Sequence, residues 1–188
     1  MTTQGVPALV PRPVALERET AYRLVASVSL MLAGVIHLIV VPEHLGESLL
    51  IGMFFIALGL AQIGFAVALR WALVVPVLVL AAVAHLGVIA LYVTTRTVDL
   101  PFLPVHEGSG HAVQHLPVAG GVGNGTPIFP NSHIEPVGSL DLLCLVAELV
   151  VVAMIVGLLS GRSRRFVTNL MFCLGASALL LRGVGLLL

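Results

Sequence analysis

Five apolar stretches, each about twenty residues long, limit what this chain can fold into more than any other feature. At about 1.5 Å of rise per residue, a helix of that length crosses the roughly 30 Å hydrocarbon core of a bilayer. Lipid offers backbone groups no partners, so each stretch is expected to satisfy its own hydrogen bonds as a helix. The expected spans are 22–41, 49–69, 71–93, 139–160 and 166–188. The fold class that follows is an all-α integral membrane protein. It is a bundle of five transmembrane helices with a long extracytoplasmic loop, residues 94–138, between the third and fourth. Composition agrees, with 59% apolar and 10% charged residues, against about 45–50% and about 25% in soluble domains.

The punctuation supports these limits. Residues 1–20 read as a cytoplasmic tail carrying Pro7, Pro11 and Pro13, and 21–188 as one membrane domain. A secretory signal is not expected, because the first apolar run starts late and lacks a small-x-small cleavage site. Pro42 is expected to close the first span, since proline cannot continue the hydrogen-bond ladder. The polar link that follows, Pro42 to Ser48, carries Glu43, His44 and Glu47 at the outer rim. Gly161 to Arg165 reads as a tight basic turn between the last two spans. No long internal repeat supports an inverted-repeat transporter.

All nine basic residues are arginines, and their placement predicts an orientation. Arg12, Arg18, Arg23, Arg70, Arg162, Arg164 and Arg165 fall on one side, while Arg96 stands in the long loop and Arg182 within the last span. The positive-inside bias puts the N-terminus in the cytoplasm of a cell and the 94–138 loop and C-terminus outside the plasma membrane. A formal net charge of zero argues against nucleic acid, which demands a concentrated basic surface. The expected partners are the lipid bilayer and other membrane proteins.

Polar side chains inside spans are costly and need reasons. Counting helix rise from the outer ends places His37 at a depth of about 8 Å, His85 at about 12 Å, Glu148 at about 13 Å and Arg182 at about 9 Å. These ionisable residues gather in the outer half. Gln62 and Asn169 fall to the inner half, as interhelical hydrogen-bond glue. Asp141, Cys144 and Glu148 are spaced i, i+3, i+7 and share one helical stripe. Ala26, Ala33, Gly34 and His37 form a stripe of small residues that turns His37 into the bundle. Cys144 and Cys173 read as ordinary buried thiols and give no disulfide framework.

Two readings of the buried set stand side by side. In one, Glu148 pairs with Arg182 or a histidine as an internal strut, because buried charges persist when paired. In the other, His37, His85 and Glu148 hold a transition metal, a haem or a proton, since imidazole and carboxylate suit zinc, copper and iron. His44 and Asp141 extend that candidate ligand set at the rim.

The long loop carries His106, His111, His115 and His133. His111 and His115 are spaced i, i+4, which sets two imidazoles on one helical face, although Gly110 and Pro117 confine such a helix to about two turns. Metal capture by His106, His111 and His115, with the last two as the main pair, is the functional expectation; a solvated loop is the plain one. His106 and His111 flank two glycines at i, i+5, so the zinc-protease pattern is absent. Ser109 lacks the Gly-x-Ser-x-Gly elbow, and the glycines of 120–125 lack the lysine of a phosphate-binding loop.

Three functional classes follow: a binder of copper or zinc at the outer face, an accessory subunit of a membrane complex without its own cofactor, and a b-type haem electron-transfer protein with His37 and His85 as axial ligands. Low aromatic content (5%) disfavours haem. No nucleophile–base pair emerges, so catalysis is not the expectation. The apolar inner half offers no polar path, which ranks transport below binding.

Overall fold

The computed structural model describes residues 13–71, 73–97 and 137–184. The elements are all helices: α1 (Pro13–Ile39), α2 (Val41–Glu47), α3 (Leu49–Ala68), α4 (Val75–Thr95), α5 (Ser139–Leu158) and α6 (Gly161–Gly183). Five of them are long and apolar enough to cross a membrane, which fits a polytopic membrane protein. His111, His115, His106 and His133 lie outside the described residues.

Three boundaries differ from the expected spans, each for a local reason. The first helix begins at Pro13, well before Tyr22. Proline is tolerated in a first turn, where its missing N–H has no helical partner to lose. Pro42 does not end the first span in an extended link. Val40 is a single irregular residue, and Pro42 sits in the first turn of α2. Val40 N–H still donates to Ile36 O, and His44 N–H to Val40 O, so the path stays nearly helical. The basic run 161–165 is not the turn itself. The chain turns at Leu159 and Ser160, and Gly161 opens α6 at a φ of 54°, a left-handed value that a side chain would resist. Arg162, Arg164 and Arg165 therefore lie on the first turns of α6.

Helix α1 is the hub, packing on both α3 and α5, while α4 packs on α5 and α6. The α1–α3 crossing is set by glycine. A Cβ added at Gly34 would stand 2.9 Å from Gly59 O, and one at Gly59 would stand 2.9 Å from Gly34 O. Only small residues permit backbones this close, and such contacts replace the hydrophobic drive that lipid lacks. On the other side of α1, Gly157 of α5 accommodates the ring of Tyr22, which a Cβ there would approach to 2.8 Å.

The apolar core runs through Ala26, Leu30, Leu69, Ala82, Val152 and Ile155. A smaller cluster of Ala33, Ile36, Cys144 and Ala147 lies nearer the other end of the bundle. Arg23 marks the arginine-rich end, where it donates to Leu69 O at 3.2 Å and Trp71 O at 2.9 Å. A cation on the last carbonyls of α3 opposes the negative end of its dipole.

Candidate functional site

Four helices send polar side chains to one point, and Glu148 of α5 is its centre. Glu148 is 2% exposed. It stands on the buried stripe Cys144, Ala147, Glu148, Val151, Val152 and Ile155, whose helical spacing faces the bundle interior. Gln62 of α3 donates from Nε2 to Glu148 Oε1 at 2.5 Å. His37 of α1 places Nε2 3.4 Å from the same oxygen. His85 of α4 meets the other oxygen, Oε2, through Nδ1. An ionised carboxylate only accepts, so it pairs with the tautomer of each imidazole that places N–H on the facing nitrogen. Every helix except α2 and α6 contributes.

Cys144, one turn before Glu148, adds a soft ligand. Its Sγ lies 3.6 Å from His37 Nε2. Among the described residues, His37, Cys144 and Glu148 form a group whose ligand atoms all lie within 4.8 Å of one another. Tetrahedral zinc with bonds of about 2.0 Å to nitrogen and oxygen and about 2.3 Å to sulfur separates N from O by about 3.3 Å and N from S by about 3.5 Å. The observed N–O and N–S separations, 3.4 and 3.6 Å, match those edges. Gln62 and His85 then hold the carboxylate from outside, as partners that fix a metal-binding carboxylate's orientation usually do.

The remaining candidates separate from this group. Asp141 faces Arg96 at 3.3 Å and accepts the Gly138 N–H at 2.9 Å, so it serves the start of α5. Arg96 also lies over the ring of Tyr92, 5.3 Å from its centroid. His44 stacks on Phe55 with ring centroids 4.3 Å apart, and Phe55 in turn contacts His37 at 5.4 Å. His44 is thus one aromatic ring removed from the cluster. Arg182 is exposed on α6, and the expected Glu148–Arg182 strut gives way to imidazole and amide partners. Haem ligation by His37 and His85 gains no support, because the Glu148 carboxylate stands between the two imidazoles where a porphyrin would lie.

Two contributors had other expected roles. Gln62 falls in the inner half by helix counting, yet its amide reaches Glu148. Cys144 reads as an inert buried thiol from sequence, although its place on the Glu148 stripe was the signal that brings it to His37. Compared with family models, characterised proteins and solved structures, the chain matches none.

Proposed function

We propose that this chain is a plasma-membrane protein that binds a transition metal, zinc before copper, at His37, Cys144 and Glu148. The observation that carries the reading is the match between the separations around His37 Nε2 and the edges of a tetrahedral site. Thiolate and imidazole suit both zinc and copper, and the carboxylate tilts the set toward zinc. Three protein ligands leave a fourth position open, as in sites that exchange a ligand and unlike closed structural sites. The arginine distribution supports a cytoplasmic N-terminus, which puts this end of the bundle toward the outside, on the side of His111 and His115. Those two histidines are proposed to capture the ion.

The test is elemental analysis of detergent-purified protein after equilibration with zinc or copper and removal of the excess. Stoichiometric zinc that is lost in Cys144→Ser and in His37→Ala supports the site. Binding needs the Cys144 thiolate and an unprotonated His37 Nε2, so protons compete with the ion and occupancy should fall as pH is lowered. A wild-type protein that stays metal-free, or metal that survives both substitutions, rules the site out. A second reading, an accessory subunit, draws on α6, whose Phe166, Phe172, Leu179 and Leu180 are all exposed. A metal-free protein that copurifies with a membrane partner would favour it.

A further inference from the structure

Helices α3 and α4 both serve Glu148, yet they do not pack on each other. α3 rests on α1 and α2, and α4 on α5 and α6. Between them runs an open cleft of about 240 Å³. Its walls are apolar, with Ala61 and Phe65 from α3 facing Leu80 and Ala84 from α4. Gln62 and His85 also line it, and these are the side chains that hold Glu148 from the two helices. The cleft and the Glu148 cluster therefore share a wall.

Gln62 leaves one need unmet on that wall. It is 3% exposed, its Nε2 is committed to Glu148, and its Oε1 is a buried acceptor with no hydrogen-bond partner. The amide is held this way round, since turning it over would set Oε1 against a carboxylate oxygen. An unmade bond on a buried acceptor is costly, and lipid tails bring no donor. A bridging water needs about two to four polar partners, and apart from Gln62 and His85, both already bonded to Glu148, the lining of the cleft is apolar. A charged group would also lack a counterion, because Glu148 is already covered by an amide and two imidazoles.

We propose that the α3–α4 cleft binds a neutral lipid bearing a hydroxyl group, which donates to Gln62 Oε1 while the apolar body lies between Ala61, Phe65, Leu80 and Ala84. The site stands apart from the metal reading, because its acceptor is unmet whether or not His37 and Cys144 hold an ion.

The test uses the full chain in detergent micelles, labelled with a photoactivatable hexadecanol and with its methyl ether, which keeps the chain and loses the donor. Labelled positions are mapped by mass spectrometry. The alcohol is expected to label α3 and α4 about fivefold more than the ether, the worth of one net hydrogen bond. That excess should vanish in Gln62→Met and in Ala61→Leu/Ala84→Phe, while labelling of α6 around Phe172 is unchanged. Ala84→Leu, at an exposed position, carries the same test if the double variant does not fold. Equal labelling by alcohol and ether, or an excess that survives the filled cleft, overturns the proposal. Zinc content measured on the Ala84→Leu protein reports on the metal site separately, so that failure of either idea is distinguishable from failure of the other.

Discussion

Helices α5 and α6 follow each other in the chain, have similar lengths and are both apolar enough to span a membrane, yet the bundle uses them in opposite ways. α5 buries a continuous stripe from Cys144 to Ile155, with a carboxylate in its middle. α6 buries Val167 and presents Phe172, Leu179 and Leu180 outward. α5 is the more hydrophobic of the two, but lipid solvates apolar side chains as readily as the core does, so that difference does not by itself draw a helix inward. The difference lies in the face: α5 alternates small and branched side chains at helical spacing with one group that three other helices can grip. Near the C-terminal end of α6, Arg182 is exposed. In a solvent as apolar as the core, a helix is drawn inward by fit and by polar partners.

The sharpest way to break this comparison is Glu148→Ala. The substitution strands His37, His85 and Gln62 together, and should lower stability by about 3–5 kcal/mol, the usual cost of breaking a buried charged network. Thermal unfolding in detergent measures it. Ile155→Ala, further along the same stripe, removes packing without touching a polar group, and is expected to cost about 2–3 kcal/mol. Gly157→Ala should cost about 1 kcal/mol, because the Tyr22 ring it meets is able to turn aside. Leu179→Ala on α6 should stay within about 0.5 kcal/mol, as exposed positions do. If Leu179→Ala proves as damaging as Ile155→Ala, the outward face of α6 is covered by something in solution, and the contrast between the helices dissolves.

Sequence alone went furthest where side chains share an element. The stripe that joins Cys144 to Glu148 follows from helical spacing, and five spans follow from length and apolarity. Convergence of His37, His85 and Glu148 was expected from similar depths, and the structure brings the two histidines to opposite oxygens of one carboxylate. What sequence hid depends on how helices cross. Helix counting assumes upright rods and puts Gln62 in the inner half, but α1 and α3 meet closely at Gly34 and Gly59, where the Gln62 Cβ lies 3.3 Å from a Cβ built on Gly34. The missing side chain at Gly34 is what lets Gln62 come so near α1 on its way to Glu148. Asp141 shares the Glu148 stripe, but Arg96 at the end of α4 claims it, a pairing that no spacing within α5 encodes. The second helix was hidden for a different reason. Pro42 signals a break, and the same residue is equally suited to start a new helix one residue later.

The Arg96–Asp141 contact joins the C-terminal cap of α4 to the first turn of α5, two points separated by the longest stretch of sequence between the described helices. Among the described residues, the interfaces of α1 and α4 with α5 hold the first four helices to the last two. Two separately translated halves, divided between Arg96 and Asp141, would each carry one side of those interfaces, and co-expressing them tests whether these suffice to rebuild the Glu148 cluster.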